Sequence, residues 1–378
     1  MSERMPKILI IDDGEEQSAL VQHIASAGLV SAELLHPNDV ALDDLRSADL
    51  VLVDYGLDNW PERDALDQLS LRSPDGLAVA AVIRRQAQGY EKDSPTAIAM
   101  LTGQLDRLAS PLPAEHREHM LAHMNNLEWV FRKAKQEEES ELITQVSELA
   151  IAVSRLPPRW GAEVAEPMNQ LAALLNIDAE GLVSEKLLED VESCNPPIHE
   201  LSEWSHGLAV LRWLLHKILP YPCFLWDTHY LAARLSLDHK AFVSALRTNS
   251  KLNDLLGSAK YEGILADFLR TRWWRSRVEF LLWELTNGQS TDPRVLHKEI
   301  KQRIGADLTA SEPLINPIVC INTDYQALDK SYSLQESVRI RPDDWPPYAD
   351  QPWTTTELAK SEPKLKSLVL LEDRARVK

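Results

Sequence analysis

The chain has 378 residues, 44% of them hydrophobic, and a formal net charge of −18. That length predicts two or more domains with real cores, and no run is long and charge-free enough to span a bilayer, so no membrane partner is expected. The acidic balance disfavours general nucleic-acid binding, which rests on lysine and arginine contacts to phosphate.

Three scattered cysteines, Cys194, Cys223 and Cys320, lack the spacing of a disulfide framework or a zinc site. The opening MSERMPKILIIDD stops its apolar run at two aspartates, unlike a signal peptide. A reduced, cytoplasmic protein is the expectation.

Residues 6–135 alternate strand-like and helix-like stretches. KILIIDD reads as a strand, and EEQSALVQHIASAG as a helix that Gly28 stops. SAELLHP and DVALDDLRSA follow as strand and helix. DLVLVDY is nearly continuous apolar, as a strand covered on both faces would be. NWPERDALDQLSLRSPD is polar and proline-punctuated, so a loop or insertion is expected. GLAVAAVIRRQAQ is a third helix, TAIAMLTG a fourth strand, AEHREHMLAHM a fourth helix and LEWVFRK a fifth strand. Five β/α units predict a doubly wound five-stranded parallel sheet, an α/β fold, over residues 1–135.

A long linker helix is expected over residues 136–158, acidic in its first turn and stopped by Pro157-Pro158. Residues 159–310 predict a mostly helical domain, with helix-period apolar residues in LAALLNI, GLAVLRWLLHKIL, YLAARLSL, AFVSALR, GILADFLR and SRVEFLLWEL. Residues 311–378 form a mixed proline- and tryptophan-rich segment with some β character in INPIVCI and SVRI, and RPDDWPPYADQPW as an extended arm.

Asp12, Asp13, Asp54, Thr102 and Lys133 each fall at the end of an expected strand. Ligands of open α/β sheets bind at the carboxyl ends of the strands, so these residues would meet. Three carboxylates would seat Mg²⁺, which prefers oxygen ligands shared with phosphate, and a carboxylate can take a phosphoryl group as a nucleophile. Lys133 would hold a phosphoryl oxygen and the Thr102 hydroxyl would donate to another. Taken singly, an aspartate pair after a strand, a threonine or a lysine says little; their joint order carries the signal.

At IIDD, LVDYG, MLTG and VFRK the chain resembles the receiver domain of two-component response regulators, over residues 6–155. The resemblance implies a flavodoxin-like fold with Asp12 and Asp13 as the metal-binding acidic pair and Asp54 as phosphoacceptor. It further implies the Gly56 carbonyl as a metal ligand, Thr102 as switch hydroxyl, Lys133 as phosphoryl-contacting lysine and Phe131 as switch aromatic. A histidine kinase would be the phosphate donor. The chain departs from the family in long Asp54–Thr102 and Thr102–Lys133 spacings, and in Ala134, where a proline normally follows the lysine.

The second half is less explicit. His199, His206, His216, His229 and His239, with Asp227 and Asp238, show no hydrolase or metal-binding spacing, and core or solvated histidines are the simpler reading. YLAARLSLDHKAFVSALRTNSKL has helix–turn–helix flavour, and Arg234, Lys240, Arg247, Lys251, Arg270, Arg272, Arg275 and Arg277 make residues 230–280 basic. A DNA-binding output over 225–280 is therefore one alternative, and a receiver-controlled enzyme of unrecognised type another. RTRWWRSRVEFLLWEL would place Trp273, Trp274 and Trp283 on or near one amphipathic helix, in a core or at a partner face.

No P-loop, GxSxG, kinase or deaminase signature appears, so no output enzyme is expected. The leading expectation is a phosphoacceptor acting through protein–protein contacts or as a phosphate sink. Its partners would be the kinase and a second response regulator or effector, and an oligomer could form through the receiver face or the linker helix. The layout loosely resembles the buffering component of Detocs-like antiphage systems.

Overall fold

The computed structural model describes residues 4–60, 75–87, 95–133, 139–158, 160, 166–178, 181–199, 201 and 207–377. Its amino-terminal part contains β1 (Lys7–Ile11), α1 (Ser18–Ser26), β2 (Ser31–Leu35), α2 (Leu42–Ser47), β3 (Leu50–Asp54), α3 (Gly76–Ala87) and β4 (Ala97–Thr102). These are followed by α4 (Leu105–Leu108), a 3₁₀ turn (Ala114–His116), α5 (Arg117–Met124), β5 (Val130–Arg132) and α6 (Glu139–Ser154). The five strands form one sheet in the order β2-β1-β3-β4-β5, every pair parallel. The central strands β3 and β4 are buried along their whole length, which explains their unbroken apolar sequences. Gly28 ends α1 with φ +72°, a left-handed conformation in which a side chain would be strained.

Alternation divides the strand residues between two cores. Leu9, Ile11, Val51, Val53, Ile98, Met100 and Val130 pack on α2, α3, α4 and α5. Ile8, Ile10, Leu50, Leu52, Ala99, Leu101 and Phe131 pack on α1 and α6, and this second core runs on without a break into the helical part.

The helical part comprises α7 (Pro167–Leu174), α8 (Leu182–Ser193), α9 (Leu208–Trp213) continued by a π turn (Leu214–Ile218), β6 (Leu225–Trp226), α10 (Thr228–Arg234), α11 (His239–Thr248), α12 (Ser250–Gly257), β7 (Trp273–Trp274), α13 (Arg275–Leu285) and α14 (Pro293–Ile304). Helices α10 to α14 enclose their own core around Phe242, Leu256, Val278 and Ile300. The chain closes with β8 (Ser337–Arg339), β9 (Trp353–Thr355), α15 (Thr356–Ser361), α16 (Pro363–Leu368) and a 3₁₀ turn (Leu371–Val377), around Ile321, Val338, Ile340 and Leu365. No described helix is long and apolar enough to cross a membrane.

Several expectations need correction. GILADFLR is a run of turns, with Leu265 and Arg270 at φ +62° and +66°, because the chain must double back to reach β7. INPIVCI contributes isolated bridges at Ile318 and Ile321 in place of a strand. The short α4 was not foreseen, and most of the stretch after Asp54, residues 61–74, lies outside the described residues, as do 136–138 of the expected linker helix. Trp273 and Trp274 are buried and pair with Leu225–Trp226 ahead of α13, whereas Trp283, on α13, is 57% exposed beside Phe280.

Glu128 and Arg212 fasten the sheet to the helices. The Glu128 side chain is 1% exposed; it accepts from the Ile98 amide at 2.6 Å and from the Arg212 guanidinium at 2.6 and 2.8 Å. Arg212 also donates to the side-chain and backbone oxygens of Asn126.

Candidate functional site at the carboxyl edge of the sheet

The sheet order puts the ends of β1, β3, β4 and β5 side by side. Asp12 and Asp13 follow β1, Asp54 and Thr102 are the last residues of β3 and β4, and Lys133 follows β5. The Lys133 ammonium lies 3.0 Å from Asp54 Oδ2, and its backbone N–H donates to the Thr102 carbonyl at 2.9 Å. Residues 79 positions apart in sequence are thus in direct contact. Glu16, which sequence reasoning missed, stands 3.9 Å from the same ammonium but is mostly exposed.

The three carboxylates are crowded and mostly enclosed. Asp12 is 3% and Asp54 4% exposed. Burial, reinforced by the Asp54 charge, pushes the Asp12 carboxyl up to about 6. Burial also raises the Asp54 carboxyl, while the Lys133 hydrogen bond and charge and the Tyr55 and Gly56 amides pull it back down. Asp12 Oδ1 accepts from the Gly14 amide at 3.0 Å, and its Oδ2 is buried without a partner. Asp13 accepts from the Asn59 amide.

Among the described residues no three His, Cys, Asp or Glu side chains are arranged to hold a metal ion. Asp13 and Asp54 each direct an oxygen to a protein donor. In kind, however, the donors fit a hard divalent cation: all are oxygens, and the buried Asp12 Oδ2 has no hydrogen-bond partner. The Gly56 carbonyl follows Asp54 by two residues on the same loop.

Thr102 Oγ1 accepts from the Gln104 amide at 3.0 Å, leaving its own hydrogen free to donate. Phe131 does not stand beside that hydroxyl. In the β4–β5 register it is opposite Leu101, and both lie in the core under α6; alternation turns Thr102 to the other face. The reason is the position of Phe131 one residue off the strand parity of Thr102's partner, Arg132. Phe131 is 1% exposed and meets Phe268 of the helical part edge-on at 6.2 Å.

Gly76 opens α3 directly against the end of β3. A Cβ there would fall 2.0 Å from the Asp54 carbonyl oxygen and 2.8 Å from the Tyr55 Cα, so only glycine allows the approach. Its amide donates to the Tyr55 carbonyl at 3.0 Å. At the rim, Arg132 and Arg117 both grip Asp106, at 2.7 Å each, and hold its carboxyl down to about 2, Arg132 having the larger effect.

Of the other candidates from the sequence, Asp227, His229 and His239 meet, away from His216. Asp227 caps α10 by accepting from the His229 and Tyr230 amides, and its second oxygen is 3.8 Å from His229 Nδ1. His229 stacks on His239 at 3.6 Å, Asp238 caps α11, and His206 lies outside the described residues. His199 lies beyond α8 in the helical part and is exposed. His216 is buried with His119 and His116, residues that sequence reasoning passed over; their spacing of three on AEHREHMLAHM was the available sign of a shared face. Within the basic stretch, Arg234 pairs with Glu279, Lys240 with Asp329, Arg275 with Asp350 and Arg277 with Asp178, and Arg272 donates to the Leu219 carbonyl.

A five-stranded parallel sheet in the order 2-1-3-4-5, with helices on both faces and polar residues at the carboxyl edge, is the flavodoxin-like doubly wound arrangement. Among solved structures the chain is similar to NtrX from Brucella abortus, at 18% identity and TM-score 0.29, covering 50% of this chain and 34% of that one. It is also similar to full-length FixJ from B. japonicum (17%, TM-score 0.27, 55% and 95%) and to the response regulator ChrA of a heme-sensing two-component system (14%, TM-score 0.24, 73% and 98%). The chain spans about a third of the NtrX length it matches. No protein-family model matches the sequence, and no curated protein matches it.

Proposed function

We propose that this protein is a phosphoacceptor, with Asp54 taking a phosphoryl group from a partner histidine kinase. The observation that carries the reading is the Asp54–Lys133 contact of 3.0 Å beside Asp12 and Asp13, at the strand ends where such folds bind ligands. The Asp54 carboxylate attacks phosphorus as the phosphorus–nitrogen bond to the donor histidine breaks, and the histidine, protonated on its other ring nitrogen, leaves as the neutral imidazole. Mg²⁺, held by Asp12, Asp13, Asp54 and the Gly56 carbonyl, would supply the positive charge that lets an anion approach these carboxylates. Lys133 turns from Asp54 to the incoming phosphoryl oxygens, and the Thr102 hydroxyl donates to one of them.

The output runs through packing. The core joining Phe131 to Phe268 and α6 to the helical part supports a protein-interaction module or a phosphate sink, in line with the resemblance to antiphage buffering components. A DNA-binding output has less support, since Arg234, Lys240, Arg275 and Arg277 are engaged with carboxylates of the chain itself.

The test is intact-protein mass after incubation with Mg²⁺ and, in turn, acetyl phosphate, phosphoramidate and a phosphorylated histidine domain. A single phosphoryl gain in wild type, absent in Asp54→Ala and abolished by chelation, is expected. No gain from any donor, or an equal gain in Asp54→Ala, would overturn the proposal.

A further inference from the structure

Away from the sheet edge, two of the three free cysteines meet. Cys194 follows the last turn of α8, and Cys223 lies in the loop before β6, 29 positions later in the sequence. Their thiols are neighbours that interact with each other. Both line one cleft of about 690 Å³, together with Lys186, Arg275, Phe280 and Trp283. Cys194 is 2% and Cys223 3% exposed, so they form part of the cleft wall and are closed off elsewhere. Cys320 is remote from them, on the carboxy-terminal unit beside Ser337.

We propose that Cys194 and Cys223 form a thiol–disulfide pair, oxidised by a small hydroperoxide that enters this cleft. The two sulfurs are not equivalent. Cys223 Sγ donates to the Lys217 carbonyl at 3.4 Å and burial drives that thiol well up, whereas Cys194 Sγ lies 4.0 Å from the Ser193 hydroxyl, a donor that would stabilise its thiolate. Cys194 is thus the nucleophile and Cys223 the resolving thiol.

In the first step the Cys194 thiolate attacks the terminal oxygen of the hydroperoxide. The oxygen–oxygen bond breaks, Cys194 becomes the sulfenic acid, and the departing alkoxide takes up the proton that Cys194 gave, leaving as the alcohol. In the second step Cys223 attacks the Cys194 sulfur and expels hydroxide, which takes the Cys223 proton and leaves as water. Two thiols lose two electrons and two protons, and the peroxide is reduced. The disulfide of this pair would be a transient, sensing one. Closed, it would staple the end of α8 to the strand that carries Trp226, where Asp350 of the proline-rich arm is anchored by Trp226 and Arg275.

The experiment is peptide mapping of the reduced full chain after brief exposure to cumene hydroperoxide, with free thiols then alkylated. A Cys194–Cys223 cross-linked peptide, reversed by dithiothreitol, preserved in Cys320→Ser and lost in Cys223→Ser with trapping of a sulfenic acid at Cys194, is the expected result. The wild-type map alone is decisive if a variant fails to fold. Recovery of both thiols in reduced form at peroxide concentrations that oxidise an added model dithiol, or a cross-link that involves Cys320, would overturn the proposal. Since Asp54 takes no part, this outcome is independent of phosphoacceptor activity.

Discussion

Acid should loosen the joint between the sheet and the rest of the molecule, through its buried histidines. His116, His119 and His216 are 3%, 4% and 2% exposed, with ring centroids 4.8 Å apart for the first pair and 6.3 Å for the second. Tyr221, Tyr325 and Trp345 enclose His116, and Trp129 stacks on His216. A protonated ring would have to remain among these aromatic groups, so burial pushes His116 and His216 down from 6.5 to about 3, and His119 well below its usual range. In the unfolded chain the rings regain 6.5 and bind protons below it, while the folded protein does not. Stability is therefore complete above that value and is lost as the pH falls from 6.5 toward 3.

At pH 5, about 1.5 units below the unfolded value, one such ring costs roughly 2 kcal/mol, hence about 4 kcal/mol for His116 and His216 together. Urea unfolding at pH 8 and pH 5 measures the loss, and His116→Phe keeps a ring in the same cage without a titrating nitrogen. The variant should lose about 2 kcal/mol less than wild type over that interval. Identical pH dependence in the two proteins, or a His116 ring that NMR finds titrating near 6.5, would refute the argument.

Three further outcomes follow from the geometry. Gly76→Ala places a Cβ 2.0 Å from the Asp54 carbonyl oxygen, so α3 must retreat; a loss of roughly 2–3 kcal/mol in urea unfolding, with slower phosphorylation from acetyl phosphate, is expected. Arg212→Met leaves Glu128 buried without its hydrogen-bonded guanidinium, Arg84 remaining nearby, and should cost about 3–5 kcal/mol, most of which the double variant Glu128→Gln with Arg212→Met should recover in a double-mutant cycle. Asp12→Asn removes one of three crowded charges; in Mg²⁺-free buffer it should raise the melting temperature through a gain of about 1–2 kcal/mol, and calorimetry should find Mg²⁺ binding lost.

The amino-terminal unit was legible because its signals are local. Continuous apolar runs mark β3 and β4, and aspartates and a lysine at strand ends are visible in one dimension. The sheet order then does the gathering, which is why Asp54 and Lys133 meet although their spacing is irregular. The helical part is legible element by element but not as an assembly. Nothing in GILADFLR announces two left-handed residues, because helix-period apolar spacing also suits a turn whose Phe268 and Leu265 are both required in the core. His116, Cys194 and Cys223 acquire their environments only from tertiary neighbours, which periodicity cannot report. Phe131 matches the family's switch aromatic by its place two residues before Lys133, whereas strand parity decides its face.

One feature of α6 bears on how the molecule can be divided. The helix is buried at Leu142, Val146, Leu149, Ala150, Ala152 and Val153, so it offers apolar surface to the sheet and to the helical part alike. A fragment cut after residue 155 would carry that second surface into solvent and should self-associate, and a fragment beginning after it would lack a wall of its core. The protein is therefore poorly suited to modular exchange: its halves are separable in sequence but share an interior, and evolution or engineering that replaces one must repaint α6 for the other.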